Sequence, residues 1–179
     1  MAGSSDEQRA KAPTGPVVSS AHLAAGASPA LSEVEFGLIL AGSAFSRWMG
    51  RCMAAAGKPG LSAIEILILH TVRHRDRPKR FADICLVLDI EDTHVATYAI
   101  RKLEEAGLVA TGRAGKEKLV SATEEGAALC ARYAEVRERL LTRPLRGSGP
   151  AEAQMSEVAE LLRALSGYYD QAARAAATL

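Results

Sequence analysis

From residue 31 onward, apolar side chains recur at helical spacing. Val34, Leu38, Ala41, Phe45, Trp48, Cys52 and Ala56 step by three and four along one face, which predicts a helix ended by Gly57 and Pro59. Its start is predicted at Ser32, where Glu35 three residues on has the form of a capping box and Leu31 with Phe36 that of a hydrophobic staple. The same signal returns at once in Leu61, Ser62, Glu65 and Ile66, and Ile64, Leu67, Ile68 and Thr71 carry a second, more deeply buried helix. A third helix over 79–88 sets Phe81, Ile84, Cys85 and Leu88 on one side, and a short turn at 89–92 leads to a fourth over 93–106, stopped by Gly107.

After Gly107 the period shortens. Residues 108–111 and 118–122 are β-branched runs flanking 112–117, the pattern of a β-hairpin. Thr123, with Glu124 and Glu125 behind it, caps a fifth helix through Leu129, Tyr133, Val136 and Leu140. Pro144 and Pro150 interrupt it, and a last helix over about 152–173 lines up Met155, Val158, Leu161, Leu162, Leu165 and Tyr169. That stripe has no later element to cover it, so it must pack back on its own chain or on a partner. The fold class is mostly α with a small β-hairpin wing.

Two short helices joined by a tight turn and followed by a hairpin make a winged helix-turn-helix. Such a helix fits the major groove while the hairpin reaches a neighbouring phosphate or minor groove. On the fourth helix the inward stripe is Ala96, Ala99, Ile100 and Leu103, which turns Thr93, His94, Thr97, Tyr98 and Arg101 outward. Those five carry donors for bases and phosphates and no carboxylate. An ordinary solvated face would hold more Glu and Lys and seldom a tyrosine.

Residues 32–142 resemble the multiple-antibiotic-resistance regulator (MarR) family of winged-helix transcription factors. The resemblance is carried by RKLEEAGLV over 101–109, similar to the end of that family's recognition helix and its first wing strand, and by LVSATEEG over 119–126, similar to the second strand entering the next helix. The turn before the fourth helix is about one residue longer than is common there, and Arg113 and Lys116 stand where the family often has Asp-x-Arg near the wing tip. The resemblance implies an obligate homodimer with N- and C-terminal dimerisation helices. Its domains would be a dimerisation helix over 31–57, the winged helix-turn-helix and following helix over 61–142, a linker over 143–151 and a C-terminal dimerisation helix over 152–175. It also implies a pseudo-palindromic double-stranded DNA operator, repression as the mode of action, and a small aromatic effector held near Arg47, Trp48 and Tyr133. Thr93, His94, Thr97 and Tyr98 would read bases. Arg101 would take a guanine or phosphate with Lys102 beside it, and Arg113, Lys116 and Lys118 would grip the flanking groove.

Composition narrows the alternatives. The chain has 179 residues, 22 Lys and Arg against 21 Asp and Glu, and a net charge of +1, which implies weak non-specific affinity for DNA. The cations are clustered: Arg73, Arg75, Arg77, Lys79 and Arg80 stand against Asp76 alone. With this tract ahead of the helix-turn-helix, Lys79 and Arg80 are expected at phosphates, with a solvated loop as the alternative. Residues 1–30, rich in small residues with Pro13, Pro16 and Pro29, read as a flexible tail with no secretion signal. Without a membrane span, the cytoplasm is the expected compartment.

Cys52, Cys85 and Cys130 are spaced for neither a metal clamp nor a disulfide framework, and are expected as small core residues. His70 and His74 lie four apart, but nothing nearby completes a metal site. No cofactor is expected. A P-loop, a nucleophile elbow and paired catalytic carboxylates are all missing from the sequence, so it reads as no enzyme. The alternative to specific DNA binding is a winged-helix interaction or dimerisation module whose outward face binds another protein.

Overall fold

The computed structural model describes residues 15–179, in two compact units divided between Arg51 and Cys52. In the first, α1 (Ala21–Ala24) precedes α2 (Pro29–Ala55), whose last turn enters the second unit. The helix begins ahead of the expected Ser32. The Ser28 hydroxyl accepts from the Leu31 amide at 3.3 Å and Pro29 opens the helix, a cap and first-position pair that needs no second start signal. Ser32 instead donates its hydroxyl to the Leu23 carbonyl at 3.0 Å. The expected tail is therefore partly helical from residue 21, while its residues 1–14 lie outside the described residues. Along α2, Ile39, Leu40 and Phe45 are all more than half exposed in the single chain.

The second unit holds the winged lobe. Its first helix, α3 (Ala63–Arg73), has the expected capping box: Ser62 Oγ accepts from the Glu65 amide, and Glu65 Oε2 accepts from the Ser62 amide at 3.0 Å. Its buried face is Glu65, Ile66, Ile68, Leu69 and Val72, rotated from the expected Ile64, Leu67, Ile68 and Thr71. Both sides of this helix are apolar, so periodicity alone does not choose between them. The expected third helix is shorter at its start. Lys79–Arg80 is a two-residue strand, β1, and α4 spans only Phe81–Val87. Asp89, in the left-handed region at φ 52°, turns the chain toward α5 (Thr93–Glu105), which Asp92 caps by accepting from the His94 amide at 2.9 Å.

The hairpin strands β2 (Val109–Ala114) and β3 (Glu117–Ala122) pair from Val109↔Ala122 to Ala114↔Glu117. They run closer to the tip than the sequence implies. A two-residue turn at Gly115 and Lys116 suffices, because Gly115 adopts φ 61° without a side-chain clash. β1 adds to the outer edge of β3, giving the antiparallel order β1-β3-β2.

Helix α6 (Glu124–Arg137) is capped by Thr123, whose hydroxyl accepts from the Gly126 amide at 3.0 Å and donates to the Gly107 carbonyl at 2.7 Å. The segment expected as a linker is helical for most of its length. A π-turn at Glu138–Thr142 continues into α7 (Arg143–Ser148). The wider turn resets the hydrogen-bond register immediately before Pro144, which lacks an amide proton and would disrupt an ordinary α-helical turn. Helix α8 (Glu152–Ala176) has no buried residue, and Val158, Leu161 and Tyr168 on it are half or more exposed. The core of the lobe is Ile66, Ile68, Leu69, Ile84, Ile100, Leu103, Val120 and Leu129, all at most 1% exposed. Among the described residues no helix is long and apolar enough to cross a membrane.

Candidate nucleic-acid interface

Helix α5 is oriented by what it buries. Ala96, Ala99, Ile100 and Leu103 are all at most 1% exposed, and this fixes Thr93, His94, Thr97, Tyr98 and Arg101 on the solvent side. Tyr98 keeps more than half its surface exposed. The Arg101 guanidinium lies 5.2 Å from the Tyr98 ring centroid and its Nε lies 3.5 Å from the Glu105 carboxylate. Both contacts are solvent-exposed and weak, so the arginine is held near the face without being committed. The Thr97 hydroxyl donates to the Thr93 carbonyl at 2.9 Å, leaving its oxygen lone pairs outward as acceptors.

On the wing, Arg113 faces Lys118 across the strands, and Lys116 sits in the tip turn. All three are exposed, and none forms an ion pair among the described residues. Lys118 Nζ lies 5.7 Å from the Phe81 ring centroid, which draws it toward the first helix of the helix-turn-helix.

Three other sequence-selected cations are occupied within the chain. Lys102 Nζ pairs at 2.8 Å with Glu65, whose side chain is 3% exposed, and so fixes α5 to the start of α3. Burial acts to raise the Glu65 carboxyl, but its hydrogen bonds from Lys102 and Ser62 outweigh that and hold it below the usual carboxylate range. Arg80 makes two 2.9 Å bonds to Asp83 and one of 3.3 Å to Glu117. Lys79 Nζ donates to the carbonyls of His74 and Arg77.

The pairing Lys79↔Val120 and Arg80↔Leu119 also sets direction. Going back from Lys79 leads away from the wing tip, so residues 73–78 lie toward the opposite end of the hairpin. Arg73, Arg75 and Arg77 are therefore directed away from the wing cations, whereas Arg80 stays beside the wing at Glu117. Sequence reasoning missed Glu104, which accepts at 2.6 Å from the Thr111 hydroxyl and at 3.2 Å from its amide, tying the end of α5 to β2. A carboxylate seven residues before a strand threonine carries no sequence signal of that pairing.

The expected effector residues are divided between the units. Arg47 is exposed and Trp48 half-buried on α2, within the first unit. Tyr133, in the second, is 7% exposed, with its ring centroid 4.6 Å from that of His70 in an edge-on contact. Burial first, then the Cys52 thiol, pushes its phenol up to about 12. Cys52, Cys85 and Cys130 are buried free thiols, each pushed up by burial and so away from the reactive thiolate. Among the described residues no group of three His, Cys, Asp or Glu is placed to hold a metal ion.

A short helix, a tight turn, a second helix with a polar outward face and a three-stranded sheet ending in a basic hairpin define a winged helix-turn-helix. Residues 61–126 match the family described as a winged helix DNA-binding domain, and the fold is shared with solved MarR-family proteins. One is a transcriptional regulator (MarR family) from Rhodococcus sp. RHA1, 18% identical, covering 76% of this chain and 94% of that one with a TM-score of 0.59. CouR from Rhodococcus jostii RHA1, bound to p-coumaroyl-CoA, is 18% identical over 74% of this chain and 90% of its own, with a TM-score of 0.58. Reduced AbfR bound to DNA is 17% identical over 78% of this chain and 94% of its own, with a TM-score of 0.62. No curated protein matches the sequence.

Proposed function

We propose that this chain is a homodimeric, sequence-specific DNA-binding transcription regulator that acts in the cytoplasm as a repressor by occupying a pseudo-palindromic operator. The observation that carries the reading is the exposed, carboxylate-free run Thr93, His94, Thr97, Tyr98 and Arg101 on a helix whose opposite face is fully buried. Thr93, His94, Thr97 and Tyr98 read base edges in the major groove, where hydroxyl and imidazole groups meet base donors and acceptors. Arg101 leaves its loose contacts with Tyr98 and Glu105 for a guanine or a phosphate. Arg113 and Lys116 take the flanking phosphates or minor groove, with Lys118 behind them.

Binding of the purified chain to its selected duplex tests this. Affinity is expected to fall steeply with salt, because each neutralised phosphate releases condensed counterions. Arg101→Ala should cost about 1 to 3 kcal/mol. Affinity unaffected by salt and by Arg101→Ala would instead favour a protein partner for the same face.

Support for the dimer comes from the apolar surface left open on two helices, Ile39, Leu40 and Phe45 on α2 and Val158, Leu161 and Tyr168 on α8. Mass measured by light scattering should be twice the 18.9 kDa of the chain. A charge placed in the stripe, as in Leu161→Asp, should shift it toward the monomer, because a buried unpaired carboxylate opposes association. A wild-type mass of 18.9 kDa at micromolar concentration counts against the dimer. For an effector, support comes from the likeness to CouR, the relative bound to p-coumaroyl-CoA. A bound ligand would change the spacing of the two recognition helices and so the match to the half-sites.

A further inference from the structure

A cavity of about 460 Å³ lies between α3, the 74–79 segment and α4, within the winged lobe. Leu67, Ile84 and Val87 give it apolar walls, and Val87 is 68% exposed at its mouth. The His70 ring lines it too, with a buried Nε2 that has no hydrogen-bond partner. The other side is cationic: Arg75 and Arg77 line the cavity, and neither forms an ion pair among the described residues.

The nearby acids are already engaged. Asp83, which lines the cavity, accepts two bonds from Arg80, and Asp76 pairs with Arg73 at 2.7 Å. The imbalance is felt by Lys79, whose ammonium is pushed down by burial and then by Arg77 and Arg75. The strand register directs this segment away from the wing tip, so a DNA phosphate held by the wing is not its counter-ion.

We propose that this cavity binds a small amphipathic anion, its apolar body seated against Leu67, Ile84 and Val87 and its carboxylate or phosphate head taken by Arg75 and Arg77. A guanidinium is the side chain best matched to such a planar or tetrahedral anion. The ligand wedges between α3 and α4. Since α4 is the first helix of the helix-turn-helix, occupancy would alter the seating of α5, a consequence that rests on the DNA-binding reading as the binding itself does not.

Calorimetric titration of the full chain with 4-phenylbutyrate, 4-phenylbutyl phosphate and 4-phenylbutanol tests it. At least one anion is expected to bind once per chain with a Kd below about 1 mM, and the alcohol about tenfold more weakly. The Arg75→Ala/Arg77→Ala double variant should lose about tenfold for the anion and leave the alcohol unchanged. Val87→Trp, at an exposed position and checked for an unchanged melting temperature, should block both. The better of the two anions shows whether a carboxylate or a phosphate is preferred. The proposal is overturned if neither anion binds below about 1 mM, if the alcohol binds as well as the anions, or if the double variant binds the anion undiminished. Anion binding without any change in duplex affinity would leave the site standing and remove its regulatory consequence. Absence of duplex binding altogether would remove the DNA-binding reading while the titration still decides the site.

Discussion

Gly126→Ala is expected to destabilise the protein by about 3 kcal/mol or more, at the upper end of what overpacking a close-packed site costs. A Cβ at this position would lie 2.0 Å from the Leu108 carbonyl oxygen and 3.3 Å from Leu69 Cδ1. The clash cannot be relieved by a side-chain rotation, because the carbonyl belongs to the backbone. It is also anchored, accepting from the Thr123 amide at 3.1 Å. The start of α6 thus rests directly on the base of the wing, with the Thr123 hydroxyl holding the Gly107 carbonyl beside it. Urea unfolding of the two chains measures the loss. Gly112→Ala on β2 serves as control: its new Cβ meets nothing within 4 Å, so its effect should stay within about 0.5 kcal/mol.

Lys102→Ala is expected to destabilise the protein, because it leaves the Glu65 carboxylate, 3% exposed, without its charged partner, while the solvent-exposed Lys102 end tempers the loss. The double variant Lys102→Met/Glu65→Leu should recover much of that, since an apolar pair removes the stranded charge. The recovery should be incomplete, because Glu65→Leu also removes the acceptor of the Ser62 amide in the capping box; no recovery at all would count against a stranded charge as the cause of the loss. The sign of the pH dependence follows from the lowered Glu65 pKa. Its contribution is fully present above the ordinary carboxylate pKa and is lost as pH falls through the lower folded value. Unfolding curves from about pH 7 to pH 3 should therefore show a loss in the wild type that is smaller in Lys102→Ala. The pair joins the start of α3 to the last turn of α5, so on the proposed DNA-binding function the same variant should also weaken duplex binding, with a partial return in the double variant.

Helix α5 was legible because its two faces differ sharply. Small and branched apolar residues at 96, 99, 100 and 103 leave only one side for Thr93, His94, Thr97, Tyr98 and Arg101. Helix α3 was less so, since Ile64, Ile66, Leu67, Ile68 and Leu69 make both faces apolar and only packing selects the buried one. The strand Lys79–Arg80 escaped because two residues carry no period. It exists because β3 offers an open edge some 40 positions later.

The allocation of cations was hidden for the same reason. Lys102 and Arg80 look like free positive charge in the sequence, yet Glu65 and Glu117, each 37 positions away, meet them in the fold. At Ser32 the failure was local: a sound capping signal lost to Ser28-Pro29 just upstream. The near-neutral net charge likewise conceals a division between unpaired cations on the wing and a second cationic group at residues 75 and 77, toward the other end of the hairpin.

The most direct measurement is selection of a random duplex library with the purified protein. A dimer carrying two α5 helices should enrich a pseudo-palindrome whose half-site centres lie about one helical turn apart, roughly 34–36 Å, or a multiple of it. Sites of that symmetry should lose affinity when Arg101 is replaced by alanine. A library that returns no enriched sequence, or only an asymmetric site bound by a single chain, would contradict a dimeric operator-binding regulator.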